Sequence, residues 1–202
     1  IKTMEQETVD LRQAADKSRN LALKDALTGI WNRQALNEVL EKEFSRWQRY
    51  QKPLSIVIWD VDYFKRVNDN YGHAAGDKVL KTIAGIFQKA TRDADFIARF
   101  GGEEFILVME AATPQMLHNK LNEFRSTVAN HPFPFVENLT ASIGFTLLDP
   151  NMFISSIIDK ADKALYYAKD NGRNSVYYFE ELIEQELLKG DEPGINSPIE
   201  LF

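Results

Sequence analysis

The sequence contains no cysteine. That excludes disulfides and thiolate metal sites and fits a reducing compartment. Its three histidines, His73, His118 and His131, show no metal-ligand spacing, and there is no nucleophilic serine motif. No apolar run is long enough to span a bilayer. Basic residues are in deficit: 24 Lys and Arg face 30 Asp and Glu, a net charge of −6. A binder of nucleic-acid polymers needs a basic face, so that class is set aside. A small phosphorylated ligand stays open, because local cations and metals override global charge. The chain starts at Ile1 without a signal peptide. It reads as a cytoplasmic fragment, with an upstream sensor and any membrane anchor expected to lie outside it.

What is present is ordinary for a globular protein, 44% hydrophobic and 27% charged, with 202 residues for one domain plus extensions. Residues 1–24 lack Gly and Pro and read as a helix. Met4, Thr8, Leu11, Ala15, Ser18 and Ala22 form a thin 4-3 seam, which suits either a solvated linker or a dimerising coiled coil. A helix follows over 33–50, after a break at Gly29. The apolar run 54–59 reads as a strand buried on both faces, with Asp60-Val61-Asp62 at its carboxyl end. Ligands gather at such ends in parallel sheets. Residues 63–69 form a short helix or turn that ends in the turn-forming run Asn68–Gly72, and a helix spans about 74–91.

Gly101-Gly102 then sits between apolar strands at about 96–99 and 104–109, the pattern of a hairpin whose glycines allow positive φ and a close ligand approach. A helix opens at Thr113-Pro114 and runs to about Asn130. The strand 139–146 contains Gly144, hence a bulge or a close backbone approach. A helix over 154–169, closed by Asn171-Gly172, a strand over 175–179, an acidic helix Glu180–Lys189 and a Gly/Pro-rich tail complete the chain. The expected units are a helical signalling linker (1–24), a folded domain (25–179) and an acidic helix with a tail (180–202). Alternating helices and strands with one hairpin give an α/β fold, a mixed sheet flanked by helices.

The hairpin places Glu103 near Asp60. Magnesium is usually held by one or two carboxylates plus substrate phosphates, and this pair supplies that number. Asp62 is expected to turn away from Asp60 and to cap the following helix. Lys65, Lys169 and Arg173 lie near the ligand-side loops and together could neutralise a triphosphate. Arg92-Asp93-Ala94-Asp95 reads as a charged loop. Gly72–Lys78 is not a P-loop: its glycine spacing is one residue short, and no Gly-Lys-Ser/Thr follows. Nor does Asp60 open an EF-hand, since Tyr71 stands where a bidentate Glu is required. Asn138-Leu139-Thr140 is taken as a chance sequon.

With these residues in hand, the chain resembles the GGDEF family of bacterial diguanylate cyclases over about residues 25–179. Six ordered blocks carry the resemblance. They are Asp25-Ala26-Leu27-Thr28-Gly29-Ile30-Trp31-Asn32-Arg33; Asp60-Val61-Asp62-Tyr63-Phe64-Lys65; Asn68-Asp69-Asn70-Tyr71-Gly72-His73 to Gly76-Asp77; Gly101-Gly102-Glu103-Glu104-Phe105; Ala141-Ser142-Ile143-Gly144; and Ala161-Asp162-Lys163-Ala164-Leu165-Tyr166 through Lys169 to Gly172-Arg173-Asn174. Trp59 departs from the family's usual phenylalanine.

The resemblance implies a mainly antiparallel, five-stranded, palm-like sheet and condensation of two GTP into cyclic di-GMP with release of two pyrophosphates. Each domain would hold one GTP, so turnover needs a homodimer. By position, Asp60, Glu103 and the Val61 carbonyl would hold Mg²⁺ or Mn²⁺, and Glu103 or Glu104 would help deprotonate the 3′-hydroxyl. Asn68 and Asp77 would read guanine. Lys65, Lys169, Arg173 and backbone amides near Phe64 would hold the phosphates, with the nucleotide lying against Gly102. The family's Arg-x-x-Asp feedback site falls on Arg92 and Asp95, where cyclic di-GMP would bind. A second arginine is expected from the helix after the hairpin, and its place holds Glu123, with Arg125 nearby. The alternatives are a catalytically silent receptor for GTP or cyclic di-GMP, which usually loses signature residues that this chain retains, and a dimerisation module.

Overall fold

The computed structural model describes residues 2–110, 113–134, 136–149 and 153–188. Its elements are α1 (Lys2–Ala22), α2 (Arg33–Tyr50), β1 (Leu54–Val61), α3 (Phe64–Tyr71), α4 (His73–Ala90), β2 (Phe96–Arg99), β3 (Glu104–Glu110), α5 (Pro114–Asn130), β4 (Ala141–Leu147), α6 (Ile154–Asp170), β5 (Val176–Tyr178) and α7 (Phe179–Glu184). The five strands form one sheet in the order β2-β3-β1-β4-β5. Every pairing is antiparallel except β4 with β5.

All eight residues of β1 are buried, and their alternation feeds two cores. Val57, Trp59 and Val61 join Val79, Leu80, Ile83 and Phe87 of α4 and Leu117, Leu121 and Phe124 of α5. Ile56 and Ile58 join Leu36, Leu40 and Trp47 of α2 and Ile157, Ile158 and Leu165 of α6. Trp59 therefore packs into the α4–α5 side, among Phe87, Phe105 and Phe124. Asp60, next along the strand, points to the α6 side.

Several expectations need correction. β1 is antiparallel to both neighbours, so the rule for parallel strand ends does not place its acids. They sit where they do because the end of β1 abuts the β2–β3 turn. The run Asn68–Tyr71 is helical rather than a turn, and only Gly72, at φ 80°, separates α3 from α4. Among the described residues the glycines with positive φ are Gly29, Gly72 and Gly172, so the turn at Gly101-Gly102 does not use positive φ. β4 runs in unbroken register past Gly144, without a bulge. A Cβ there would strike the α6 backbone at Ala161 and Leu165, so the glycine marks a close helix approach. β5 is shorter than expected, and the acidic helix ends at Glu184. Lys189 and the tail lie outside the described residues. Among the described residues no helix is long and apolar enough to cross a membrane.

α1 is exposed from Arg12 to Ala22, and its seam residues Met4 and Leu11 are 75% and 70% exposed. Arg19 pairs with Glu38 of α2 at 3.0 Å, across two largely solvated side chains.

Candidate active site

Asp60 lies at the end of β1, opposite Glu104 of β3, and the Val61 amide donates to the Glu103 carbonyl at 3.4 Å. The structure therefore brings the signature acids to Asp60 as expected, with Glu104 as its register partner. Asp60 is 6% exposed. Burial pushes its carboxyl up to about 7, and Glu103 and Glu104 add to the rise. Lys169, from the last turn of α6, opposes it with an ammonium 2.9 Å from Asp60 Oδ2. Lys169, expected at phosphates, is thus Asp60's counter-ion in the ligand-free chain.

Asp162 of α6 belongs to the same field: burial and Glu104 raise its carboxyl, and Lys169 pulls it down. Its seven-residue spacing from Lys169 puts both on one helix face, a signal that the sequence reading passed over. Among the described residues no three His, Cys, Asp or Glu side chains converge tightly enough to form a protein-only metal cage. Asp60 and Glu103 instead suit a cation that completes its shell with water and phosphate. The donor set fits: a desolvated carboxylate beside two further acids, with one lysine for compensation, gains from a divalent ion.

Asp62 does not cap α3, whose first turn has no side-chain cap. Residues two apart share a strand face, so alternation does not turn it from Asp60 either. Its carboxylate accepts from the Thr140 hydroxyl at 2.6 Å, the Ser142 hydroxyl at 2.7 Å and the Asn174 amide at 3.0 Å. It is thereby occupied in tying β1 to β4 and to the loop after α6.

The signature turn is clamped from below. Arg99 donates twice to the Gly102 carbonyl, at 3.1 and 2.7 Å, and also to Asp25, at 3.2 Å. Asp25 in turn accepts from the Thr28 amide and hydroxyl. Trp31 of the same motif pairs with Ala98 and continues the sheet edge beyond β2. Arg99 had no assigned role in the sequence, and Asp25 was only part of a motif. A Cβ on Gly102 would meet nothing within 4 Å, so the turn presents an open face.

Across the site, α3 carries Asn68 and α4 carries Asp77. A Cβ on Gly76 would overlap the Asn68 side chain, which places that amide one residue from Asp77. Phe64 is buried beneath, and Lys65 is exposed on α3. Arg173 donates to the Tyr63 hydroxyl at 3.1 Å, just ahead of α3.

At the other end of the hairpin, Asp95 is nearly buried, with its side chain 5% exposed. It accepts from the Arg92 amide at 3.0 Å and from Lys120 of α5 at 3.2 Å. The second basic group beside Asp95 is therefore Lys120. Glu123 is exposed, and Arg125 reaches away to Asn174 at 2.7 Å. Arg92 and Lys120 flank a cleft of about 340 Å³ that Met109, Met116 and Leu117 line.

Paired acids where a strand end meets a glycine turn suit a divalent cation held together with phosphate oxygens. Residues 22–175 match the family described as "Diguanylate cyclase, GGDEF domain". The chain belongs to this family. It is 42% identical over 177 residues to the diguanylate cyclase DgcP of Pseudomonas aeruginosa, a match covering 86% of this chain and 26% of that protein. It is 37% identical over 169 residues to a diguanylate cyclase of Vibrio cholerae, covering 82% and 52%. The chain thus spans between a quarter and about half of these relatives. Its fold matches the coiled coil and GGDEF domain of DgcB from Caulobacter crescentus, solved with c-di-GMP, at TM-score 0.80 and 28% identity over 87% of this chain and 95% of that one.

Proposed function

We propose that the chain is the catalytic portion of a diguanylate cyclase. Two GTP condense: each 3′-oxygen bonds to the α-phosphorus of the other nucleotide, and each displaces a pyrophosphate. The observation that carries this reading is the buried Asp60 carboxylate facing Glu103 and Glu104 with Lys169 as counter-ion. Asp60, Glu103 and the Val61 carbonyl would hold Mg²⁺ or Mn²⁺. When bound, the ion polarises the phosphate and offsets the charge that develops on it.

The chain's own groups do the rest. Asn68 and Asp77 pair with the guanine edge and disfavour adenine. The nucleotide lies along the open Gly102 turn. Lys65 and Arg173 meet the β- and γ-phosphates, and Lys169 exchanges Asp60 for them. Glu104 or Glu103 accepts the 3′-hydroxyl proton, and Arg99 holds their turn rigid. One such site binds one nucleotide, so the attacking hydroxyl comes from a second domain. The exposed seam of α1 suits pairing two copies, as a linker below an upstream sensor. Product would bind at Arg92, Asp95 and Lys120 as feedback.

The test is incubation with GTP and Mg²⁺ across protein concentrations. Cyclic di-GMP should form at a rate per chain that rises with concentration and vanishes in Glu103→Ala. Nucleotide binding without turnover, under conditions that force dimers, would identify a silent receptor instead.

A further inference from the structure

Three non-glycine residues at the site adopt left-handed backbone: Tyr63 at φ 56°, Arg173 at 61° and Asn174 at 46°. Such conformations persist only where surrounding contacts enforce them, and they gather at functional sites. These three belong to two loops more than a hundred residues apart in sequence that touch each other. On the α6 side, the Arg173 amide donates to the Ala168 carbonyl at 2.9 Å. Asn174 is pinned between Asp62, which takes its amide, and Arg125, which donates to its side chain. On the α3 side, Tyr63 is 50% exposed, and its ring fills no core. Its contacts are cationic instead. The Arg173 guanidinium lies 4.4 Å from the ring centre and the Arg66 guanidinium 4.3 Å from it. Arg173 also donates to the phenol oxygen.

A free arginine side chain loses much rotamer entropy when it binds phosphate, and one already stacked and hydrogen-bonded loses less. We propose that Tyr63 is a positioning residue for the nucleotide's terminal phosphates: its ring and hydroxyl hold Arg173 in place on the loop after α6, with Arg66 bracing the same ring. This rests on the reading of Arg173 as a phosphate ligand. Tyr63 touches no reacting atom, and its action runs entirely through Arg173. The exposed ring and the strained φ then share one cause. Left-handed backbone turns the Tyr63 side chain out of the α3 core and toward the loop after α6.

The experiment compares binding of 3′-deoxyguanosine triphosphate, which lacks the attacking hydroxyl, with binding of GMP, both in Mg²⁺. Tyr63→Gly removes the ring while accepting the backbone conformation. It should weaken the triphosphate roughly five-fold, the scale of a partly solvated cation–π contact, and leave GMP unchanged. Tyr63→Phe keeps the ring and should recover most of that loss. In an Arg173→Ala background, Tyr63→Gly should cost nothing more. Equal weakening of both nucleotides, or an unchanged triphosphate affinity in Tyr63→Gly, would overturn the inference while leaving the Arg173 reading intact. If Arg173→Ala itself leaves the triphosphate-to-monophosphate ratio unchanged, the phosphate reading of the loop fails, and this inference fails with it.

Discussion

Asp25 and Arg99 are 74 residues apart in sequence, and their side chains meet at 3.2 Å beneath the signature turn. Both are largely buried, at 21% and 17% exposure. Burial opposes the charge on Asp25, but the Thr28 hydrogen bonds and the Arg99 guanidinium outweigh it and hold its carboxyl below the ordinary value of 3.8. A carboxylate with a depressed folded pKa contributes stability above its unfolded pKa and loses it as pH falls through the folded one. Asp25→Asn should therefore cost about 1–2 kcal/mol at pH 7. The gap to the native chain should close below pH 3.8. Melting curves at neutral and acid pH test this, and a gap independent of pH would refute it. The same variant should slow turnover, because Arg99 also holds the Gly102 carbonyl.

Asp60 has the opposite sign. Its folded carboxyl is pushed up to about 7 from 3.8, so between these values the folded chain keeps a proton that the unfolded chain has released. Stability then falls as pH rises across that window. In chelator-treated protein, Asp60→Asn should stabilise the fold above pH 7, where the native residue is charged and desolvated, and should have little effect near pH 4. Denaturant midpoints at the two pH values decide the matter. A variant that loses stability at pH 8 would show that the Lys169 pair outweighs burial.

The strands and helices were legible because apolar runs and helical spacings are local. The Asp60–Glu103 approach was legible because a hairpin fixes one end of β3 against a neighbour. What the sequence hid depends on long-range placement. Asp62 takes its partners from β4 and the loop after α6, so its occupied carboxylate has no local signature. Lys120 rather than Glu123 meets Asp95, because the rotation of α5 about its axis is set by Leu117, Leu121 and Phe124 in the core. Two adjacent glycines announce a turn without announcing its φ angles, and here those angles are not left-handed.

Gly144 and Gly76 should respond differently to alanine. At Gly144 the added methyl meets Ala161 and Leu165 backbone, which cannot rotate away. Gly144→Ala should destabilise by about 1–3 kcal/mol, with loss of turnover as α6 shifts Lys169 off Asp60. At Gly76 the added methyl meets the Asn68 side chain, which can swing, and comes within 3.0 Å of the buried Phe64 ring, which must give by only a few tenths of an ångström. Gly76→Ala should nearly keep its melting temperature yet lose preference for GTP over ATP in competition binding. A large stability loss at Gly76 with intact base preference would contradict the assignment of Asn68.

The proposed product feedback offers a test between neighbouring residues of one helix. Arg92 is exposed and free to meet a phosphate, while Lys120 already sits on Asp95 beside the same cleft. A charge-assisted hydrogen bond to phosphate is worth about 1.5–3 kcal/mol, so Arg92→Ala should raise the inhibitory concentration of cyclic di-GMP about ten-fold or more. Lys120→Ala should raise it by less, roughly three-fold, since part of that ammonium's charge is already spent on Asp95. Glu123→Ala should leave it unchanged, because Glu123 lies one turn further along α5 and is exposed. Inhibition curves for the three variants, each normalised to its own uninhibited rate, separate the possibilities. A shift in Glu123→Ala with none in Lys120→Ala would mean that the product meets α5 one turn further along the same face, and that the Lys120–Asp95 pair only fastens the hairpin to the helix.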